Sequence, residues 1–154
     1  MTLYFAYGSN MNRAGMAARC PGAKALGVAT LPGWRFVITI DGYASIARAP
    51  GAEVVGVLWR LTVRDFAPLN AFESIDSGLY RRRIVAVRHA GAVRPALVYL
   101  GRARAAGRPR PGYVEIVADA AREWNMPPGY IRSLERWLPS GLRAARAAEI
   151  GELR

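Results

Sequence analysis

The chain has 154 residues, a length that suits one compact domain over 1–154 with a real core. Hydrophobic residues make up 52% and charged residues 21%, which excludes extensive disorder. The formal net charge of +11 raises the question of a nucleic-acid partner, yet Lys24 is the only lysine among 22 basic residues and the arginines are scattered from Arg13 to Arg136. Only "YRRR" (80–83) and "GRARAAGRPRPG" (101–112) are dense, so the charge reads as a solvated basic surface and not as a dedicated nucleic-acid patch.

Residues 3–8 form a short apolar, aromatic run that reads as a buried strand. Asn10 or Asn12 then supplies the N-cap of a short helix that ends near Cys20, where Pro21-Gly22 stops it. The stretch 25–40 contains two strand-like runs split by Pro32-Gly33, a turn signal expected to double the chain back. "ASIARAP" and "EVVGVLWRLT" continue the strand pattern, with Pro50-Gly51 as the next turn. After Thr62 the period changes: Thr62 and Asp65 resemble a capping box, and Phe66, Leu69, Ala71 and Phe72 recur at helical spacing. This short helix ends near Glu73, before the turn chemistry of "SIDSG".

"LYRRRIVAVRH" and "RPALVYLG" are then expected to pair as a hairpin across Ala90 to Val93. The Pro-, Gly- and Arg-rich segment that follows is the best loop candidate. From Tyr113 the pattern is helical, with Val114, Val117, Ala118, Ala121 and Trp124 on one stripe. A second helix in "PPGYIRSLERWLP" turns Ile131, Leu134, Trp137 and Leu138 inward, and 140–154 is a C-terminal tail. These elements predict an α+β fold, a mostly antiparallel sheet that can close into a barrel with helices at its ends.

The start of the chain carries no charged leader and no apolar run spans a bilayer, so a cytoplasmic protein without a membrane partner is expected. Phosphate loops, dinucleotide fingerprints, zinc-protease motifs and nucleophile elbows are all missing. Cys20 is the only cysteine and sits at a helix end, where a thiolate is not favoured. His89, the only histidine, lies at a strand end beside a Gly-containing turn and reads as structural or solvent-facing.

What remains is the "YGSNMN" turn (7–12) and a few carboxylates. A strand that feeds a helix through Gly8 and Ser9 exposes backbone N–H groups that can hold an anion, and it can equally be a capped turn with no ligand. Glu73 follows Leu69 and Phe72 and precedes a turn flanked by hydrophobic residues, so partial burial and a raised pKa suited to proton transfer are expected. On residues alone, a structural role for Glu73 stands slightly ahead.

Three stretches, in order and spanning residues 3 to about 138, resemble the gamma-glutamylcyclotransferase family. "LYFAYGSNM" is similar to its N-terminal signature, "LNAFESIDSGLY" to its second block, and "PRPGYVEIVADAAREWNMPPGYIRSLERW" to its third. The resemblance implies a small mixed, mainly antiparallel β-barrel with flanking short helices, and an enzyme that needs no metal or cofactor. It implies conversion of small gamma-glutamyl amino acids or amides to 5-oxoproline with release of the amine. Glu73 then stands at the catalytic glutamate. Tyr4, Phe5, Ala6, Tyr7, Gly8, Ser9 and Asn10 line the substrate pocket, and Tyr113 closes it. A homodimer is kept as an option for the assembly, and an electropositive rim would favour a leaving group that carries a carboxylate.

Two other readings compete. A non-catalytic member of the same fold would bind a small anion or peptide at the turn and tolerate loss of Glu73. A nucleic-acid-binding domain would use the two Arg-dense stretches and show steep salt dependence.

Overall fold

The computed structural model describes residues 2–102 and 106–139. The elements follow in the order β1 (Thr2–Ala6), α1 (Arg13–Arg19), β2 (Lys24–Ile38), β3 (Ala44–Leu61), α2 (Phe66–Phe72), β4 (Tyr80–His89), β5 (Ala92–Gly101), α3 (Tyr113–Glu123) and α4 (Pro128–Glu135). Short 3₁₀ turns at Ser9–Met11 and Val63–Asp65 lead into α1 and α2. The strands close into a barrel in the order β1-β3-β2-β4-β5. Neighbours are antiparallel except at the closing seam, where β5 runs parallel to β1 with Leu97 opposite Tyr4. The α+β class and the mainly antiparallel barrel with short helices are therefore as expected. Among the described residues no helix is long and apolar enough to cross a membrane.

Side chains alternate across a strand, so a closed barrel sorts each strand into an inner and an outer set. Leu3 and Phe5 of β1, Val54 and Leu58 of β3, and Ala96, Val98 and Leu100 of β5 pack together as one buried cluster, which fills the barrel. Tyr4 and Ala6, Val55, Val57 and Trp59, and Leu97 and Tyr99 belong to a second cluster. That outer face is covered by Met16 of α1, Leu69 of α2, Val117, Ala120 and Ala121 of α3, and Leu134 of α4. The two helical stripes read from the sequence are the ones that pack: Val114, Val117, Ala118, Ala121, Leu134 and Leu138 are all buried, and Ile131, Trp124 and Trp137 are partly so.

Two turn signals act differently from expectation. Pro32-Gly33 does not reverse the chain; β2 passes through it with a change of register between the pairs Pro32↔Glu53 and Trp34↔Arg48. Gly33 (φ +84°) thus stands opposite residues 49–52 of β3, and Pro50-Gly51 forms a protrusion inside that strand. A bulge is where a ladder tolerates proline, because the missing N–H has no partner to lose. The real reversal between β2 and β3 falls at Asp41-Gly42, where Thr39 and Tyr43 close the turn with a 2.9 Å bond from the Thr39 amide. The β4–β5 hairpin turns on Ala90-Gly91, both at positive φ, as a two-residue loop that matches strand twist requires. Residues 103–105 of the Arg-rich loop and the expected tail, 140–154, lie outside the described residues.

The pairing of β1 with β3 is tight enough to require glycine at one position. A Cβ at Gly56 would stand 2.4 Å from the Ala6 carbonyl oxygen and 2.7 Å from the Phe5 ring. Overpacking of this kind costs about 1–3 kcal/mol, so Gly56→Ala should lower stability to denaturant by that amount. An unchanged urea midpoint would show that β1 is held more loosely than this packing requires.

Candidate active site

The chain leaves β1 at Ala6 and enters the 3₁₀ turn through Tyr7 and Gly8. A side chain at Gly8 would meet the Tyr113 hydroxyl at 2.9 Å, so glycine is what lets the third sequence block approach the first. The Ser9 amide and hydroxyl lie against the same Tyr113 oxygen, which also accepts from the Ala44 amide at 3.3 Å. Of the two candidate caps, Asn12 is the one used: its Oδ1 accepts from the Gly15 amide at 2.7 Å. Asn10 is thereby free for another task, and its side chain is buried.

Glu73 arrives from the opposite side. The Thr62 amide and hydroxyl donate to Asp65 Oδ2 at 2.7 and 2.8 Å, and the Gly22 amide donates to Oδ1 at 3.2 Å, which fixes the start of α2. The Tyr99 hydroxyl donates to Asn70 Oδ1 at 2.6 Å and ties α2 to β5. Helix α2 then ends with Glu73 as its C-cap, and Ser74 takes a left-handed conformation (φ 52°) that turns the chain away. A non-glycine residue rarely adopts this conformation without local constraint. The Leu79 amide supplies some of it by donating to the Ser74 carbonyl at 3.2 Å.

The two approaches meet in a cavity of about 440 Å³. Tyr4, Tyr7, Gly8, Ser9, Asn10, Glu73 and Tyr113, all expected from the sequence, are in its wall. Phe5 and Ala6 are not, and their placement as pocket residues is corrected. Strand alternation points Phe5 into the barrel interior, and Ala6 is packed in the outer cluster, where its carbonyl crosses Gly56.

At the centre, the Asn10 carboxamide uses every hydrogen-bonding position it has. Its Nδ2 donates to the Tyr4 hydroxyl at 3.0 Å and to Glu73 Oε1 at 3.2 Å. Its Oδ1 accepts from Arg19 Nε at 3.0 Å and from Arg19 Nη2 at 2.5 Å. Burial pushes the Glu73 carboxyl up from 4.5 to about 7, while the Arg19 charge and the Tyr4 hydroxyl pull in the opposite direction. Burial also raises the phenols around it, well above the ordinary value for Tyr4, Tyr7, Tyr80 and Tyr99, and to about 12 for Tyr113. All five are therefore neutral donors or acceptors at physiological pH.

Sequence reasoning missed Arg19, Tyr43, Tyr80 and Tyr99, which complete the wall with Phe72 and Ile116 at its edge. One signal for Arg19 was available. Asn12, Gly15 and Arg19 are spaced as one helical face, and all three line the cavity. Tyr80 and Tyr99 gave no such signal, since an aromatic residue in a strand reads first as core. The remaining candidates lie elsewhere. The Cys20 thiol is buried and pushed up to about 11, mainly by desolvation, and His89 Nε2 is 3.0 Å from the Leu26 carbonyl. Among the described residues no group of three or more His, Cys, Asp or Glu is placed to hold a metal. Of the Arg-dense stretches, Arg81, Arg82 and Arg83 are exposed on β4, and Arg110 donates to the Asp41 carbonyl at 2.9 Å while it covers the Tyr43 ring.

The raised carboxyl has a consequence for stability. Because Glu73 binds its proton more tightly folded than unfolded, the stability present below about pH 4.5 is lost as pH rises through about 7. Glu73→Gln removes that loss. Its urea midpoint should match wild type near pH 4 and exceed it at pH 8, and a difference that does not grow with pH would contradict the burial of this carboxylate.

Similarity to known proteins agrees with this geometry. The family described as "Gamma-glutamyl cyclotransferase, AIG2-like" matches residues 4–124. The human protein named gamma-glutamylcyclotransferase is 28% identical over an alignment that covers 98% of this chain and 86% of its own length. The mouse protein of the same name is 27% identical with the same coverage. A solved structure named gamma-glutamyl cyclotransferase superposes with a TM-score of 0.80 at 29% identity, covering 87% of this chain and 86% of the other. The matched range covers most of the chain, and the chain belongs to the gamma-glutamyl cyclotransferase, AIG2-like family.

Proposed function

We infer that the chain is an enzyme that cyclises the gamma-glutamyl group of a small substrate to 5-oxoproline and releases the amine it carried. The observation that carries this reading is Glu73. Its half-buried carboxylate lies in the wall of the cavity, is held by Asn10 and Tyr4, and has a proton affinity near neutrality. That is the state a general base needs if it is to take a proton and return it in the same cycle.

The chemistry asks little else of the protein. Nucleophile and electrophile are parts of one substrate, and oriented intramolecular attack reaches effective molarities on the order of 10⁵ M or more. Glu73 takes a proton from the α-ammonium, and the freed amine attacks the γ-carbonyl carbon to form the ring C–N bond. Negative charge collects on the γ-oxygen. The tetrahedral centre then collapses, the bond to the departing nitrogen breaks, and Glu73-H returns its proton to that nitrogen. As the centre collapses the ring nitrogen sheds its second proton, which the released amine takes up, so the products are neutral lactam 5-oxoproline and an ammonium, with Glu73 back as the carboxylate.

Two groups of donors are available for the substrate's oxygens. A 3₁₀ turn leaves the amides of its first residues without an intrahelical partner, and the turn 9–11 lies at the cavity wall. Neutral tyrosines line the rest of that wall. Preorganised donors of either kind stabilise an oxyanion more than the carbonyl it came from. An α-carboxylate could be gripped by the same amides.

Mass-spectrometric detection of 5-oxoproline from a panel of gamma-glutamyl amino acids and amines tests the reading. Wild type should release it from at least one member, and Glu73→Gln should be slower by roughly 10²–10⁴-fold. Equal release by both would remove Glu73 from the chemistry. The acid limb of kcat/KM should lie near pH 7, where the carboxylate forms. Ser9→Pro deletes the amide that meets the Tyr113 oxygen and should raise KM or abolish turnover, whereas unchanged kinetics would take the turn out of the site.

A further inference from the structure

The cavity contains an arginine that takes no part in the proton transfers of the proposed reaction. Arg19 sits on α1 with its guanidinium 3.8 Å above the Phe72 ring, and it offers Nε and Nη2 together to Asn10 Oδ1. A guanidinium has only donors and a carboxylate only acceptors. Placed on either side of one carboxamide, they dictate its orientation: oxygen toward Arg19, nitrogen toward Glu73.

We propose that Arg19 is a positioning residue, whose two-pronged grip on Asn10 Oδ1 holds the Asn10 amide nitrogen against the Glu73 carboxylate and so keeps the base in its reactive protonation state. This rests on the reading of Glu73 as the general base. Without the guanidinium the carboxamide can rotate about its terminal bond, and its oxygen then faces a carboxylate with which it has no favourable contact. The effect on Glu73 is twofold, through the lost N–H donor and through the lost charge.

The surroundings single out Arg19. The titratable groups that act on or are acted on by Glu73 are Tyr4 and Tyr7 from the first block, Tyr80 from β4, Tyr99 from β5, Tyr113 from α3, and Arg19. All five phenols are neutral, so among the described residues Arg19 is the one full positive charge that favours an ionised Glu73. The stacking of its guanidinium on Phe72 and its two bonds to Asn10 place it there independently of any substrate.

Arg19→Met tests this, because it keeps an unbranched side chain on α1 and removes both charge and donors. The acid limb of kcat/KM should move up by about one pH unit. Turnover should then fall about fivefold at pH 7, recover by pH 9, and leave KM nearly unchanged. The Glu73 carboxyl, followed by ¹³C NMR without substrate, should titrate higher by the same amount. Arg19→Lys keeps the charge but not the fork and should give a smaller upward shift; full restoration by lysine would overturn the positioning claim in favour of charge alone. An unmoved limb with a raised KM would overturn it too, by making Arg19 a substrate anchor. If the NMR titration moves but no gamma-glutamyl compound yields 5-oxoproline, the reaction has been misread and the Arg19 assignment stands. If 5-oxoproline is released and the titration stays put, the reverse holds.

Discussion

One unfavourable placement organises this protein: a carboxylate held out of water at the end of a two-turn helix. Desolvation pushes Glu73 toward the protonated form, and full exposure would leave it too weak a base to hold a proton near pH 7. The observed balance comes from burial against one guanidinium and one phenol, with Asn10 as the connector. Each partner comes from a different element, α1, β1 and the 3₁₀ turn, so the balance depends on the whole front of the fold and not on a local motif.

The barrel provides that front by separating two tasks along one strand. On β1 the side chains of Leu3 and Phe5 fill the interior while Tyr4 turns to the outer face and the base. The strand thus anchors itself with alternate residues and carries chemistry on the ones between. Burial has a second effect on the same surface. Because the phenols around Glu73 are all held neutral, the cavity is rich in hydrogen-bonding groups and poor in fixed charge, which sharpens the influence of the few charges that are present.

Much of this could be read from the sequence, and the parts that could not fail for identifiable reasons. The helical stripes of α3 and α4 were legible because amphipathic periodicity reports burial directly, and the Thr62–Asp65 box was legible because capping is local. Glu73 could be singled out as a carboxylate at the junction of an apolar helix and a turn. Pro32-Gly33 misled because the same dipeptide serves a reversal and a bulge, and which one forms is decided by the partner strand. Tyr80 and Tyr99 were invisible because a buried tyrosine in a strand has the same local pattern whether its hydroxyl meets a carbonyl or a cavity. Phe5 and Ala6 were drawn into the pocket with a contiguous motif, although Phe5 faces the barrel interior and Ala6, on the same face as Tyr4, is packed inside the outer cluster.

The end of α2 also determines where this fold can change length. A helix turns by about 100° and rises 1.5 Å per residue, so one residue added between Asp65 and Glu73 would swing the carboxylate out of the cavity and Ser74 with it. The protrusion at residues 49–52 has no such coupling: it already sets four residues against Gly33, and the pairings on both sides keep their register. A change of length in the long β2–β3 ribbon therefore leaves the base where it is, whereas the same change in the short helix does not.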